Sequence, residues 1–244
     1  SPLESIFQCI EELQQIKPDF ISVTYGAGGS TQGRTLEVAR HIQDDHGIPA
    51  LGHLTCVGAT PAQSQAVLDD FAAHGIQNIL ALRGDKPKDA PPGPLNCYAQ
   101  DLVRLIRGRN QPCSIAAAAY PEGHLESPNR EEDLKHLKEK VDSGADFLIT
   151  QIFFDNAMLY RFLDGARAHG IAVPVTAGIM PVFSRAQVER ICSLCGASLP
   201  PALLLIMDKY GHQKESMEEA GLEYASQQIE DLLQHGIEGI HLYT

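Results

Sequence analysis

A short phrase that closes a helix and opens a strand recurs along the chain: His46-Gly47-Ile48-Pro49, His74-Gly75-Ile76, Ser143-Gly144-Ala145 and His169-Gly170-Ile171. Each puts a glycine where a helix ends in a left-handed cap, followed by an apolar residue where the next strand begins. Between these turns the apolar residues switch from helical spacing to short continuous runs, so helix and strand alternate. Alternation of this kind selects a parallel sheet with covering helices, because parallel strands need a crossover between them. The turns share a glycine and an apolar follower but little else, which makes them recurring supersecondary units and not a sequence repeat.

The pattern predicts a first helix over residues 2–16, with Ser1 as its cap, Pro2 at the first helical position and Glu4 in the first turn. Strands are predicted at 19–24, 49–54, 77–82, 113–118, 146–151, 173–178 and 238–242. Seven helix-then-strand units form an α/β fold of the (βα)8 TIM-barrel class that lacks the first strand and the last helix, as a single barrel domain over residues 1–244. The competing architecture is an open doubly wound sheet, but Gly26-Ala27-Gly28-Gly29 lacks the Gly-x-Gly-x-x-Gly spacing that such a sheet carries after its first strand. The chain begins at Ser1 without Met, so further residues are expected upstream.

Composition narrows the class of function. Apolar residues make up 43% and charged residues 20%, and no apolar run approaches the roughly 18 residues needed to span a bilayer, so a soluble protein without a membrane role is expected. A net charge of −12 with 19 scattered basic residues argues against a nucleic-acid partner. Six cysteines in mostly apolar segments, with no basic-then-apolar leader, point to a reducing cytoplasm. Cys192-x-x-Cys195 is the only close pair, and without a second pair or histidines at ligand spacing it reads as helix-face packing, so no metal is expected.

In a barrel the active site is built from the residues just beyond the C-terminal end of each strand. After the first strand comes Thr24-Tyr25-Gly26-Ala27-Gly28-Gly29, whose glycines let backbone N–H groups approach a phosphate or ring edge. The second delivers His53, with Thr55 and Cys56 beyond it. The third, Asn78-Ile79-Leu80-Ala81-Leu82, delivers Arg83, Gly84 and Asp85. The same tripeptide spells a cell-adhesion signal, which needs an exposed loop of a secreted protein; here it comes after four apolar residues, and a binding edge is the better reading. The proline-rich stretch 86–94 is expected to form a flap, after which Tyr98 opens a helix. Tyr120, Glu122 and His124 come after the fourth strand, and Thr150-Gln151 ends the fifth. The Gln151 amide both donates and accepts, which suits a heterocycle offering both partners. No Ser-His-Asp set, P-loop or His-rich cluster emerges, so hydrolysis is poorly supported. An aromatic and amide-lined set with one carboxylate and one guanidinium suits a planar heteroaromatic cofactor.

Taken together, Val23-Thr24-Tyr25-Gly26-Ala27, Gly52-His53-Leu54-Thr55-Cys56, Leu82-Arg83-Gly84-Asp85, Ala119-Tyr120-Pro121-Glu122 with His124, Ile149-Thr150-Gln151 and Ala177-Gly178-Ile179-Met180-Pro181 resemble methylenetetrahydrofolate reductase in order and spacing, from residue 1 to Thr244. The resemblance implies an FAD-carrying barrel that reduces 5,10-methylenetetrahydrofolate to 5-methyltetrahydrofolate, with NAD(P)H and folate reacting in alternate half-reactions. It also implies roles. Thr24, His53, Arg83, Gly84, Asp85, Tyr98, Ala99, Tyr120 and His124 match flavin-contacting positions; Glu126, Ser127, Asp133, His136 and Lys140 match positions around the ribityl, phosphate and adenosine parts. Asp85, Gln151 and Gln187 match folate-contacting positions, with Asp85 as the catalytic carboxylate. A homo-oligomer acting on small molecules is expected. The chain departs from the family in three ways. No Phe-Glu-Phe-Phe-Pro-Pro segment with its general-acid glutamate is present, no arginine comes after Leu242-Tyr243-Thr244, and His136 and Glu139 stand where the bacterial pattern often has Asn and Arg. Glu139 is expected to repel a phosphate and weaken FAD binding. The rival readings are a flavin- or folate-binding scaffold barrel that has lost catalysis, and another flavin barrel such as one resembling proline dehydrogenase. Direct hydride transfer from nicotinamide to folate is a variant of the leading reading.

Overall fold

The computed structural model describes residues 2–24, 32–85 and 97–244; the Ser1 cap, the glycine loop at 26–29 and the flap expected at 86–94 lie outside the described residues. Helix α1 spans Pro2–Gln14, strand β1 Ile21–Val23, and α2 Gln32–Arg40, which runs on into a π-helical turn at His41–Asp45. Next come β2 (Ala50–Thr55), α3 (Pro61–Ala73), β3 (Asn78–Leu82), α4 (Ala99–Arg107), β4 (Ser114–Ala119), α5 (Arg130–Asp142) and β5 (Phe147–Thr150). The chain continues through α6 (Asn156–Ala168), β6 (Val175–Ile179), α7 (Arg185–Cys195), α8 (Pro201–Tyr210), α9 (Lys214–Gln234) and β7 (Gly239–Leu242). All seven predicted strands are present, each within two residues of its predicted bounds.

Local chemistry sets the boundaries. Thr60 caps α3 by accepting from the Gln63 backbone N–H at 3.3 Å, while the Gln63 side chain accepts from Thr60 N at 2.7 Å, a reciprocal capping box. At the helix-to-strand turns, Gly47, Gly75, Gly144 and Gly170 all have positive φ. Gly144 is required twice over: its φ is +118°, and an added Cβ would stand 2.7 Å from Arg107 Cγ. Arg107 fills that space because it ties the turn together. Its guanidinium donates to the carbonyls of Gly144 and Cys113 at 2.8 Å each and pairs with Asp146, whose carboxylate also accepts from Ile115 N.

The chain divides into two compact units, residues 1–117 with 142–146, and residues 118–141 with 147–244. In the first, β1, β2, β3 and β4 pair in parallel and in chain order, with Ile21 opposite Ala50, Leu51 opposite Asn78 and Asn78 opposite Ser114. Ile10 of α1, Val38 and Ile42, Phe71 of α3 and Leu102 and Ile106 of α4 pack with Ile79 and Ile115 in one core. In the second unit the last residue of β4 accepts from Gln151 N at 2.8 Å, and β5, β6 and β7 continue in parallel, with Leu148 opposite Val175 and Thr176 opposite Gly239. Its core gathers Phe154, Met180, Val182, Val188, Leu203, Met207 and Met217. Helix α9 carries Gly221, where a Cβ would meet the Val182 carbonyl oxygen at 1.7 Å, so only glycine allows this approach. Farther along α9, Tyr224 and Gln228 donate to the carbonyls of Phe154 and Phe153 at 2.6 and 3.0 Å, satisfying the backbone that leaves β5.

Neither unit shows the reversal of strand order that defines a doubly wound sheet. Parallel strands paired in chain order and separated by helices are the arrangement of the (βα)8 barrel class, of which the described residues supply seven strands.

Candidate active site

The residues expected at the strand ends fall into both units. In the first, Thr24 directly succeeds β1, and its carbonyl accepts from Thr35 Oγ1 at 3.0 Å, joining the strand end to α2. His53 sits within β2, half-buried. At the end of β2, Cys56 N donates to Leu82 O at 3.2 Å and Val57 N to Arg83 O at 2.7 Å, so the pairing of β2 with β3 runs past both strands to the Arg83-Gly84-Asp85 tripeptide. Gly84 has a φ of +88°, and a Cβ there would lie 2.7 Å from Val57 Cγ1. Only glycine fits, and it turns the chain so that Asp85 emerges exposed. Arg83 Nε donates to the Gly84 carbonyl at 3.3 Å. Tyr98 is 55% exposed and stands just before α4, its N–H held by Asp101 Oδ2 at 2.9 Å, with Ala99 the first helical residue. Burial pushes the Cys56 thiol well above its ordinary range, and a hydrogen bond with the neighbouring Cys97 adds to the shift, so Cys56 is no nucleophile at neutral pH.

In the second unit the Tyr120 and His124 rings meet edge to face with centroids 4.7 Å apart. Lys140 of α5 places its ammonium over the Tyr120 ring at 5.7 Å and donates to the Ala118 carbonyl at 2.6 Å. Desolvation lowers the Lys140 pKa to about 8, partly opposed by Asp133. Asp133 accepts from Ser127 Oγ at 2.9 Å, and His124 Nδ1 accepts from Glu126 N at 3.1 Å. Six expected residues therefore share one neighbourhood: Tyr120, His124, Glu126, Ser127, Asp133 and Lys140. His136 is exposed on α5 and faces Glu139 at 3.4 Å. Gln151 turns its amide oxygen back onto Ile152 N at 2.9 Å. Gln187, in the first turn of α7, accepts from Phe183 N at 2.8 Å and donates to Pro181 O at 3.4 Å, so its amide shapes the loop after β6.

The end of β7 brings in residues that sequence reasoning missed. The Tyr243 hydroxyl donates to the Thr150 carbonyl at 3.1 Å, and its ring meets His241 edge to face at 4.9 Å. Burial raises the Tyr243 pKa to about 12, with Tyr120 and Cys195 adding to the shift. Gly178 makes room for this contact: a Cβ would lie 2.3 Å from Thr150 O and 2.7 Å from the Tyr243 ring. The signal was available, because Tyr243 stands at a strand end just as Tyr120 and Gln151 do.

The donor set fits a heteroaromatic group that carries phosphates. Lys140 keeps part of its surface in solvent, and among the described residues its ammonium has one acceptor for three N–H donors, so it has donors to offer an anion. Tyr120 and His124 provide ring edges beside it.

A family model described as methylenetetrahydrofolate reductase matches residues 1–244. The 5,10-methylenetetrahydrofolate reductase of Escherichia coli K12 is 35% identical over 241 residues, which span 99% of this chain and 80% of that protein. The chain belongs to the methylenetetrahydrofolate reductase family. Methylenetetrahydrofolate reductase (NADH) 1 of Arabidopsis thaliana is 34% identical over 257 residues, 99% of this chain but 43% of the plant protein. Among solved structures, an uncharacterized Clostridium thermocellum protein that binds two copies of 5-methyl-5,6,7,8-tetrahydrofolic acid shares the fold with a TM-score of 0.65 at 15% identity, over 98% of this chain and 81% of that one. A 2,3-dimethylmalate lyase of the PEP mutase/isocitrate lyase superfamily shares it with a TM-score of 0.53 at 14% identity, over 95% of this chain and 89% of that one. Membership of the methylenetetrahydrofolate reductase family makes the chain an oxidoreductase and disfavours both the scaffold and the proline dehydrogenase-like readings. Among the described residues no helix is long and apolar enough to cross a membrane.

Proposed function

We propose that the protein reduces 5,10-methylenetetrahydrofolate to 5-methyltetrahydrofolate on a single barrel domain, with NADH or NADPH as reductant and FAD as resident cofactor, in a ping-pong cycle. The observation that supports this most is the family match over residues 1–244. The reading extends to a cytoplasmic homo-oligomer.

FAD, when bound, supplies a two-electron carrier that accepts hydride from one substrate and yields it to the other. The residues that match the family's flavin contacts would hold it: Thr24, His53, Arg83, Gly84, Asp85, Tyr98, Ala99, Tyr120, His124, Glu126, Ser127, Asp133, His136 and Lys140. Asp85, Gln151 and Gln187 would contact the folate. Lys140 would donate to a phosphate oxygen and become fully protonated in doing so. His136 Nδ1 lies 3.4 Å from Glu139, so the imidazole partners this carboxylate beside the expected phosphate position.

The reduction places positive charge on the substrate before hydride arrives, since the methylene carbon must become electrophilic. A carboxylate beside that charge stabilises it, and Asp85, exposed at a strand end, is the group proposed to do so. Gln151 would orient the pterin through paired donor and acceptor contacts.

Turnover tests the proposal. Purified protein supplied with FAD, 5,10-methylenetetrahydrofolate and either nicotinamide should produce 5-methyltetrahydrofolate. Oxidation of the nicotinamide without formation of 5-methyltetrahydrofolate would reject it.

A further inference from the structure

His41 and His46 are five residues apart, a spacing that sends two side chains to different sides of an α-helix, where neighbours are three or four residues apart. The π-helical turn at His41–Asp45 alters that geometry, because its wider i→i+5 winding brings residues five apart onto one side. The two rings meet edge to face with centroids 4.8 Å apart, and their Nε2 atoms face each other at 3.2 Å. Each outer nitrogen has an acceptor: His41 Nδ1 lies 2.5 Å from Asp45 Oδ2, and His46 Nδ1 lies 2.9 Å from Gln14 Oε1 of α1. A carboxylate and an amide oxygen can only accept, so both Nδ1 atoms donate and the two Nε2 atoms are left facing each other. At that distance they either share one proton in an N–H···N hydrogen bond or take a metal ion between them.

Metal-ligating histidines are held in this way, with the ligating nitrogen forward and the other N–H given to a carboxylate or carbonyl oxygen. Zinc–nitrogen bonds of about 2.0–2.1 Å at a tetrahedral angle put two ligating nitrogens about 3.3 Å apart, whereas adjacent corners of a square plane put them at about 2.9 Å. The observed 3.2 Å lies nearer the tetrahedral value than the square-planar one. Phe7 stacks on His41 with centroids 4.1 Å apart and fixes its ring. His41 also lines a cleft of about 520 Å³ with Glu37, Asp44 and Asp45, while Arg40 in the same wall is paired with Asp44 at 3.4 Å. The field there favours a cation.

We propose that His41 and His46 bind a divalent ion of the zinc class through their Nε2 atoms, with Asp45 and Gln14 orienting the rings and water completing the tetrahedron. Among the described residues no group of three or more His, Cys, Asp or Glu side chains is placed to hold a metal. A site with two protein ligands exchanges its ion readily, which suits a reversible occupant and not a permanent structural one. None of these residues is assigned to the reductase reaction, so this site stands or falls independently of it.

The test is a zinc titration of the purified protein against a chromogenic chelator, with cobalt(II) as a spectroscopic substitute. One ion per chain should bind with no thiolate-to-cobalt charge-transfer band. His41→Ala and His46→Ala should each weaken binding more than tenfold, and Gln14→Leu by about tenfold through loss of ring orientation. Circular dichroism checks that each variant is folded, and His41→Gln gives a second reading at the same position should the alanine variant unfold. No bound zinc, a thiolate band, or unchanged affinity in the folded histidine variants would overturn the proposal.

Discussion

The ammonium of Lys140 donates to one carbonyl and lies over an aromatic face, and desolvation brings its pKa down to about 8. In the unfolded chain the same group titrates near 10.4. Between those values the folded chain binds fewer protons than the unfolded one, so Lys140 makes stability rise with pH from about 8 to about 10. Lys140→Met should flatten that rise in urea titrations across the interval. An anion bound by Lys140 would restore its charge, so binding of FAD near pH 8 should take up a proton. Calorimetry in buffers of different ionisation enthalpy measures this, and Lys140→Met should abolish it. Asp85 gives a second prediction. Asp85→Asn keeps the shape and removes the charge, so it should slow the folate half-reaction by about 10²-fold or more while changing reduction by nicotinamide less; equal slowing of both would remove the electrostatic role. Asp85 and Gln151 could be named from strand-end position alone, because the barrel rule ties function to that place, whereas Lys140 and Gln187 could be named only through the family resemblance. What the sequence did not convey is where each side chain goes. The engagement of Gln187 with Pro181 and Phe183, and the turn of Gln151 back onto Ile152, depend on loop conformations that periodicity does not encode.

Among the elements, the seven strands and the four glycine turns were legible because they rest on strong local physics: continuous apolar runs for buried strands, and positive φ that only glycine adopts without strain. The π-helical turn was not legible. It differs from α-helix by one hydrogen-bond step, and the apolar spacing of residues 36–48 is compatible with either. The His41–His46 pair has a His-x4-His spacing that zinc ligands also use, but without a close cysteine pair beside it the spacing is a weak signal in the sequence, where no metal is expected. Gly221 was silent for another reason: its role lies in a contact with Val182, far away in sequence. Gly221→Ala would place a methyl carbon against the Val182 carbonyl and should destabilise the protein by about 2–3 kcal/mol, since a backbone atom cannot swing aside as a side chain can. Gly236→Ala is the comparison. Nothing stands within 4 Å of its Cβ, and its cost should come from its φ of +75° alone, about 1 kcal/mol. Urea denaturation of the two variants separates crowding from backbone strain.

For the molecule as a whole, the barrel class was readable because only one architecture accepts repeated helix-then-strand units paired in chain order, and the described strands pair that way in each unit. The function was readable at the level of the family because six strand-end motifs stand in register, and the match over residues 1–244 agrees with them. The cofactor and the electron donor are not spelled by any one motif, since several residues of modest individual specificity would share the contacts. The measurement that tests the account most directly is the visible spectrum of the purified protein during a half-reaction titration. A flavin-dependent reductase should show a bound oxidised flavin that bleaches on addition of NADH or NADPH under anaerobic conditions and regains its colour when 5,10-methylenetetrahydrofolate is added. A flavin that bleaches and stays bleached in the presence of that folate would contradict it, as would a protein that reduces the folate at full rate with no flavin bound.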